Sequence, residues 1–419
     1  MPRLLSLRNP VTVLLDGHEV AAEHGEAVVL ALVAAGHVAL ARSPKFHRPR
    51  GPSCLRGACD GCLARVDGVP NVMTCRVPAA DGMRIETQNV VGSAQTDLLR
   101  AADWFFPHGL NHHELFATVP GAQRLLQGLA RRVAGLGKLP AEAGGARAPR
   151  EAARREVDAL VVGAGASGMA VALELARKGR QVEVVEDDLT WGGNVRALSA
   201  VDPQPWAALS AAFARAVEAR SLVLRLRTTA VGIYGDDVLV AGEAGVEVAV
   251  ARTLVLATGA HDGALAFEGN DVPGVMSARA ACRMLAAGVT VGERVVVAVT
   301  PGGRAFGEAY ARAAPGATLV RGTPVRARGS GRVKEATVAA RKEERRLACD
   351  ALVIDAPRAP AYELCAQAGA TLEHEARGFV VRAEGGRIRP GVFAAGEVVG
   401  TPLEPEAVRH EAETIASTA

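Results

Sequence analysis

Four cysteines in the N-terminal part of the sequence have the spacing of ligands to a metal cluster. Three of them fall within nine residues, and the fourth follows after twelve more. The four are Cys54, Cys59, Cys62 and Cys75. Gaps of this kind, with three thiolates on one loop and a more distant fourth, are typical of a plant-type [2Fe-2S] cluster. Such a loop must curl round the cluster with its N–H groups towards the sulfurs, which the small residues Gly57, Ala58 and Gly61 permit.

Two other uses of closely spaced cysteines are a structural zinc site and a pair of disulfides. Structural zinc sites usually have two separate pairs of ligands, whereas here three cysteines share one loop. Disulfides need an oxidising compartment, and the segment from Met1 to Asp16 does not read as a secretory signal. The cluster is therefore the favoured interpretation. We expect buried or incidental thiols at the three isolated cysteines, which are Cys282, Cys349 and Cys365.

A second motif, further along the chain, has the features of a dinucleotide-binding site. The apolar strand pattern of Val157–Val162 runs into a glycine-rich turn and a helix, and the next strand ends at the acidic Glu186. In this context the glycines permit a tight turn and close approach of a pyrophosphate to the helix N-terminus, and the acid holds a ribose. A glycine-rich turn without nucleotide is the less favoured alternative. The predicted contacts are Gly163, Gly165, Ala166, Ser167, Gly168 and Glu186.

Three later segments resemble those of flavoproteins with two dinucleotide-binding domains. They are a Gly-Gly turn after the ribose acid, a strand that ends in Ala-Thr-Gly, and a strand-turn near the C-terminus that brings an acid to the ribityl chain of FAD. That last acid is Glu397, where the family usually has Asp. The resemblance implies cofactor contacts at Gly192, Gly193, Ala257, Thr258, Gly259, Gly396 and Glu397.

A second nucleotide-binding unit is predicted to be degenerate. The segment Val295–Gly303 has Ala298 and Thr300 where the first two glycines of the fingerprint should be. Side chains at these positions hinder the approach of a pyrophosphate, so we do not expect this unit to oxidise NAD(P)H efficiently, and we interpret it as scaffold. No cysteine pair follows Trp191, which argues against a disulfide reductase.

The pattern before the cysteine loop is that of a β-grasp ferredoxin domain. Strands at Val11–Leu15 and Glu19–Ala22 flank an Asp-Gly turn, and a helix is predicted within Gly25–Ala35. The predicted fold class is α/β, with an N-terminal β-grasp [2Fe-2S] domain before a Rossmann-like two-dinucleotide flavoprotein fold. The predicted domains are 1–95 for the cluster, 96–156 for a helical connector and linker, and 157–419 for FAD, with the degenerate unit inserted at about 270–355.

Composition excludes some functional classes. The chain has 419 residues, of which 49% are hydrophobic and 22% charged, with a net charge of +3 and a pI near 8.5. That charge is too small to indicate nucleic-acid binding, and no apolar run reaches the roughly 18 residues of a membrane span. We therefore expect a cytoplasmic protein with no nucleic-acid partner and no transmembrane segment.

Two segments of this sequence allow more than one interpretation. The basic stretch Ser43–Gly51 is either a solvated loop or a source of positive charge beside an anionic cluster or phosphate, through Lys45, His47, Arg48 and Arg50. In the connector, helices are predicted at 98–106 and 122–136, and 141–155 is predicted to be an exposed linker. Its histidines, His108, His112 and His113, are interpreted as surface or cap residues rather than metal ligands.

Several of these segments together resemble one family. Ser43–Gly51 and Trp104–Leu136 are similar to the alpha subunit of heterotetrameric sarcosine oxidase, and the cysteine region resembles the small ferredoxin-like subunits of hydrogen cyanide synthase and hydroxyproline dehydrogenase complexes. The resemblance implies FAD, or NAD in its place, beside the [2Fe-2S] cluster. It also implies a partner flavoprotein resembling the beta subunits of amino-acid or amine oxidases. The family's C-terminal folate-binding-type domain has no counterpart after Glu397 in the sequence given, so folate-coupled chemistry is not expected.

The predicted function is that of an electron-transferring iron-sulfur flavoprotein subunit. A partner would remove hydride from an amino acid or secondary amine, and this FAD-dependent chain would pass the electrons singly through its cluster. No acid-base pair for a substrate is evident, so no catalytic residue is assigned. The alternatives are a stand-alone NAD(P)H-dependent flavin reductase and a non-catalytic subunit with a fixed NAD.

Overall fold

The computed structural model of the chain describes residues 3–43, 47–90, 97–98, 151–199, 201–263, 265–303, 305–341 and 343–419. Several predictions fall outside these ranges. They concern Lys45, the connector helices apart from Leu98, and the histidines His108, His112 and His113. The predicted domain boundaries at 95/96 and 156/157 stay predictions. No helix in the described ranges is both long and apolar enough to cross a membrane.

The N-terminal domain is a five-stranded sheet in the order β2-β1-β7-β5-β6 with one helix. Asp-Gly turns join β1 to β2 and β5 to β6, and both residues of each turn have positive φ, from 47° to 86°. Such turns match the twist of the flanking strands and so favour the pairing of these short strands as hairpins. The elements are β1 Pro10–Leu15, β2 His18–Glu23, α1 Val28–Ala34, β3 Ala41–Arg42, β4 Pro49–Arg50, β5 Leu63–Val66, β6 Val69–Met73 and β7 Arg84–Glu86.

The second domain is built on a larger sheet with the path β10-β9-β8-β13-β12-β11. Two later strands, Val392–Ala394 and Arg387–Arg389, extend this sheet beside β13. Its parallel strands β8, β9 and β13 are apolar over their buried halves, as expected of a sheet covered on both faces. Its first half contains β8 Ala153–Val162, α2 Ala166–Arg177, β9 Val182–Val185, α3 Gly193–Ser199, α4 Gln204–Glu218, β10 Val223–Arg225, β11 Thr229–Tyr234, β12 Asp237–Gly242, β13 Gly245–Leu256 and β14 Ala260–His261.

The inserted unit has a four-stranded parallel sheet in the order β15-β21-β16-β17, with a three-stranded sheet, β18-β19-β20, beside it. The chain then returns to the larger sheet. The remaining elements are β15 Val275–Ser277, α5 Ala278–Ala286, β16 Val295–Val299, α6 Ala305–Ala313, β17 Ala317–Arg321, β18 Thr323–Gly329, β19 Val333–Ala340, β20 Glu343–Ala348, β21 Ala351–Asp355, β22 Ala359–Pro360, α7 Glu363–Gln367, β23 Thr371–Glu375, β24 Gly378–Arg382, β25 Arg387–Arg389, β26 Val392–Ala394 and α8 Pro405–Thr418.

The first strand of the larger sheet begins earlier than the sequence suggested. We expected linker up to Arg155, but β8 starts at Ala153. The charged start of this strand is stabilised by ion pairs across the sheet, in which Arg155 Nη2 lies 2.5 Å from Glu183 Oε1 and 2.9 Å from Glu247 Oε1. Because the partners come from two other strands, the apolar pattern of the strand could not reveal this charged extension.

The N-terminal domain, called the cluster domain below because it contains the four closely spaced cysteines, packs against the inserted unit. Apolar residues of α1, including Val29 and Leu32, and of α5, including Ala281 and Met284, belong to one continuous buried core. A backbone hydrogen bond of 3.0 Å from Ser277 N to Ser53 O joins the start of α5 to the cysteine loop. Helix α5 therefore places the cysteine loop beside the larger sheet.

Candidate functional site

The cysteine loop has the geometry of a thiolate site. Cys54 Sγ lies 3.4 Å from Cys59 Sγ, which is too far for the bond of about 2.05 Å in a disulfide. The N–H groups of Arg56 and Ala58 donate to Cys54 Sγ at 3.4 Å each. Leu55 and Gly57 have positive φ, of 51° and 73°, and this turns the N–H groups inwards. The loop therefore holds hydrogen-bond donors around a thiolate before any metal is considered.

The thiols form two pairs. Contact with Cys54 lowers the pKa of Cys59 to about 5 and raises that of Cys54, while contact with Cys75 lowers the pKa of Cys62 and raises that of Cys75. In the described ranges, no three His, Cys, Asp or Glu side chains converge on a point that a single ion could occupy. Two pairs suit a two-iron cluster, in which the four thiolates are shared between two irons, better than one tetrahedral zinc.

The glycines of the loop are required by close packing. A Cβ atom on Gly61 would lie 1.8 Å from Gly51 O, so no larger residue fits without moving the backbone. The loop is held against the strand pair of β3 and β4 at this point. This close packing explains why position 61 is a glycine, as expected for a tight loop around a cluster.

The glycine-rich turn after β8 opens onto a cavity of about 290 Å³. Gly163 has a φ of 101°, and a Cβ atom on Gly168 would lie 1.9 Å from Gly163 O, so both positions need glycine. Gly165 caps α2, and a Cβ atom there would meet nothing within 4 Å. The free N–H groups at the start of α2 and the open space at Gly165 make a cradle for a phosphate.

Glu186 lies at the end of β9, on the wall of the same cavity. Its Oε2 atom accepts a hydrogen bond of 2.7 Å from Ala164 N, and its Oε1 accepts one of 3.1 Å from Asp188 N. Burial, with the nearby charge of Asp187 second, raises the pKa of Glu186 to about 7. The carboxyl group is thus fixed where the fold brings a ribose, as the fingerprint predicts.

Glu397 is held at another part of the cavity wall by two partners. Asn194 Nδ2 donates to Glu397 Oε2 at 2.5 Å, and Arg358 Nε donates to Oε1 at 2.8 Å. Of the predicted cofactor contacts, all except Gly192 line the cavity. Gly192 instead donates its N–H to Ala164 O at 2.8 Å and has a φ of 105°. It therefore supports the conformation of the glycine-rich turn without lining the cavity. That these residues contact FAD stays a prediction.

Sequence reasoning missed the arginines of the cavity. Arg56, Arg76, Arg279 and Arg283 all line it. The position of Arg56 between two of the cysteines was a signal that could have identified it. Arg279 and Arg283 lie on α5, and only the packing of the inserted unit brings them to the cavity.

The basic segment before the cysteine loop has another role. Its described residues do not line the cavity. His47 is only 2% exposed, and its Nδ1 lies 2.8 Å from Asp97 Oδ2, while Arg50 Nη1 lies 2.6 Å from Asp271 Oδ2. At these two described positions the side chains are therefore paired within the fold, and neither is a source of unpaired charge.

The inserted unit differs from a dinucleotide site in a specific way. Ala298 is buried within β16, and the loop after that strand begins at Thr300. The buried Asp355 accepts hydrogen bonds at its Oδ2 from Phe306 N at 3.0 Å and Gly307 N at 2.7 Å. An internal carboxylate thus occupies the N-terminus of α6, where the phosphates of a second nucleotide would bind. This supports the prediction that the unit is scaffold.

The other three cysteines are fully buried, as expected. Burial raises the pKa of Cys282 to about 12, that of Cys349 to about 11 and that of Cys365 to about 12. No cysteine is among the described residues that line the cavity. A thiol-disulfide centre beside the dinucleotide is therefore not part of the described structure.

Comparisons with known proteins identify a family for each of two parts of the chain. Residues 8–90 match the family 2Fe-2S iron-sulfur cluster binding domain, and residues 141–273 match Pyridine nucleotide-disulphide oxidoreductase. The chain is 31% identical over 299 residues to sarcosine oxidase subunit alpha of Rhizobium meliloti, covering 65% of this chain and 30% of that one. It is 38% identical over 82 residues to hydrogen cyanide synthase subunit HcnA of Pseudomonas aeruginosa, covering 20% of this chain and 78% of that one. The chain belongs to the sarcosine oxidase alpha-subunit-like flavoproteins.

Membership of the sarcosine oxidase alpha-like group confirms the resemblance and the fold class. L-proline dehydrogenase from P. horikoshii has the same fold, with a TM-score of 0.74 and 23% identity over 99% of this chain and 74% of that one. The cofactors are FAD and a [2Fe-2S] cluster, and the chain is an FAD-dependent oxidoreductase. It spans only 30% of the length of its sarcosine oxidase relative, so the activity of the whole relative is not transferred here.

Proposed function

We propose that this chain is the electron-transferring subunit of an amino-acid or secondary-amine dehydrogenase complex. It passes electrons between FAD in the cavity and the [2Fe-2S] cluster on the cysteine loop. The cluster ligands in this proposal are Cys54, Cys59, Cys62 and Cys75, and the FAD contacts are the predicted residues on the cavity wall. The domain boundaries predicted from sequence and a cytoplasmic location are part of the same proposal.

The observation that carries the proposal is that the cysteine loop forms part of the wall of the dinucleotide cavity. Arg56, between the first two cysteines, lines the cavity and donates from Nη1 to Ala260 O at 2.5 Å. The two cofactors therefore share a boundary. Because a flavin accepts electrons in pairs and releases them singly, such a neighbour suits a one-electron iron-sulfur centre.

The cluster site also has one side turned outward. Cys54, Cys62 and Cys75 are buried, whereas Cys59 is partly exposed, and its neighbours Ala58 and Asp60 are exposed. Electron exchange between proteins requires close approach of the two centres. The edge at Cys59 is the part of the site that a partner or acceptor can approach.

The occupied N-terminus of α6 argues against a stand-alone NAD(P)H reductase. A second dinucleotide would have to displace Asp355, which is 3% exposed and bonded to two N–H groups. The electrons must then come from elsewhere. The relatives carry the names sarcosine oxidase and hydrogen cyanide synthase, and both names belong to subunits. From these names we propose that the substrate is an amine. We also propose that a partner flavoprotein of the beta-subunit type contains the catalytic residues.

The test is anaerobic reduction of the chain together with a flavoprotein of the proposed beta-subunit type. Sarcosine, proline and glycine are added in turn, flavin absorbance is followed, and samples are frozen for the electron paramagnetic resonance signal of a reduced [2Fe-2S] cluster. The expected result is a cluster signal that grows with amine oxidation. A Cys75→Ser variant serves as the control, because flavin bleaching should persist while the cluster signal is lost.

Two outcomes would contradict the proposal. Rapid bleaching of the flavin by NADH in the chain alone would favour the reductase. Release of NAD without any flavin on denaturation would favour the non-catalytic subunit with a fixed NAD.

A further inference from the structure

The cluster domain contributes side chains to the dinucleotide cavity of the neighbouring domain. Arg56 and Arg76, which lie beside cluster ligands in sequence, both line the cavity together with the phosphate cradle at Gly165. A cavity built only by the larger domain would not contain them. The site for the dinucleotide is therefore composite.

Two ion pairs connect the acidic run after β9 to residues beside the cluster ligands, one of them directly and the other through a further hydrogen bond. Asp187 Oδ2 lies 3.5 Å from Nη2 of Arg76, the residue after Cys75. Asp188 pairs with Arg283, whose Nη1 also donates to Leu55 O at 2.7 Å. The acidic run after β9 is thus tied to residues next to two different cysteines.

A buried guanidinium in the same cavity lacks partners for part of its hydrogen-bonding capacity. Arg279 is 4% exposed, and its Nη2 has no hydrogen-bond partner in the part of the chain described. Its Nη1 donates to Ala260 O at 2.8 Å, the same carbonyl that Arg56 uses. Burial, with the charge of Arg56 second, lowers the pKa of Arg279 to about 10. Arg279 Nε is paired with Asp262 Oδ1 at 2.8 Å. The buried Nη2 that is left without a partner indicates that a further hydrogen-bond acceptor belongs at this place.

We infer that the cluster and the dinucleotide bind cooperatively, because the cysteine loop supplies Arg56 to the anionic dinucleotide and is tied through Arg283 to the ribose-binding end of β9. This inference rests on the cofactor placement in the proposed function. A cluster fixes the loop from Cys54 to Cys62 and so fixes Arg56 at the cavity. By linkage, a dinucleotide that strengthens these contacts must stabilise the cluster by the same factor.

The experiment measures dinucleotide affinity with and without the cluster. Full-length protein is stripped of dinucleotide, and FAD, with NAD⁺ in parallel, is titrated into cluster-loaded and cluster-free samples by calorimetry. Loss of one charge-assisted hydrogen bond corresponds to about a tenfold change in affinity. We expect the cluster-loaded protein to bind about tenfold more tightly, and bound dinucleotide to slow the loss of iron to a chelator.

Variants keep the inference testable if the cluster-free protein folds poorly. With the cluster intact, Arg56→Gln should weaken dinucleotide binding about tenfold, and removing the cluster from this variant should change the affinity much less than in the wild type. Arg84→Gln, an exposed strand position with the same change of charge, should behave as wild type. Arg283→Gln should shorten the lifetime of the cluster in chelator and remove the protection given by the dinucleotide.

The inference is overturned if Arg56→Gln binds both dinucleotides as tightly as wild type, or if neither dinucleotide binds the cluster-loaded protein. These results are independent of electron transfer. A chain whose cofactors bind cooperatively but whose cluster is never reduced by an amine would refute the proposed function alone.

Discussion

Gly165 allows a direct test of the phosphate cradle, because a methyl group there should affect the ligand and not the fold. Its φ of −78° is accessible to alanine, and a Cβ atom would have no protein atom within 4 Å. The open space in front of it is the cavity. Gly165→Ala therefore places a methyl group where the fingerprint requires the backbone to approach a pyrophosphate.

The size of the effect follows from the contacts that a displaced phosphate would lose. If the methyl group moves the phosphate away from two N–H groups at the start of α2, two charge-assisted hydrogen bonds weaken, each worth about 1.5 kcal/mol. The total of about 3 kcal/mol corresponds to roughly a hundredfold weaker binding of FAD. Replacing glycine by alanine at an N-cap costs the fold only about 1 kcal/mol or less.

The assay combines calorimetric titration of FAD into dinucleotide-free protein with urea denaturation of the same samples. Gly331→Ala is the matched control, because a Cβ atom there also meets nothing within 4 Å but lies in a distant loop. Gly168→Ala is the opposite case and should be strongly destabilised, since its Cβ would lie 1.9 Å from Gly163 O. Unchanged FAD affinity in Gly165→Ala would show that the dinucleotide does not lie on this turn.

Three further predictions follow from the same structure. The Cys75→Ser variant should lose acid-labile sulfide, because it lacks a proposed cluster ligand, whereas Cys282→Ser should keep it. A Cys75→Ser variant that retains a full cluster would disprove the assignment of Cys75 as a ligand. The pKa of Glu186 is raised to about 7 in the folded state, so the folded protein holds this proton more tightly than the unfolded chain does. The protonated carboxyl group therefore stabilises the dinucleotide-free protein by about 3 kcal/mol below about pH 4.5, and this stabilisation is lost as pH rises through 7. Glu186→Gln should flatten melting temperature against pH between 5 and 8, and an unchanged slope would count against this. Asp355→Ala should lower the free energy of unfolding in urea by about 2 kcal/mol, because two buried N–H groups lose their acceptor; a variant as stable as wild type would contradict the capping role.

The parts of the site that sequence could predict are those in which one short segment contains the whole geometry. The thiols and the small residues of the cysteine loop lie within a few positions and can be read from consecutive residues, whereas the positive φ of Leu55 could not be. The turn from Gly163 to Gly168 is similar, since strand, turn and helix follow without interruption. The Asp-Gly hairpins were also predictable, because the turn residues alone favour the required twist.

Other features depended on partners far away in sequence. The charged start of β8 pairs with β13 and is stabilised by Glu183 and Glu247, which come from other strands of the sheet. In the basic segment, His47 is buried and none of the described residues lines the cavity. Nothing near His47 in sequence reveals that Asp97 will pair with it.

The sequence by itself determined that this protein can hold a [2Fe-2S] cluster and a dinucleotide, because ligand spacing and backbone freedom are local properties. The tertiary structure alone decided how the two sites are joined. Leu55 and Arg283 are separated by 228 positions, yet the packing of α5 against the cluster domain brings them within hydrogen-bonding distance. Asp355 likewise reaches the N-terminus of α6 from the end of β21. Contacts of this kind depend on the packing of whole elements, and no local pattern encodes them.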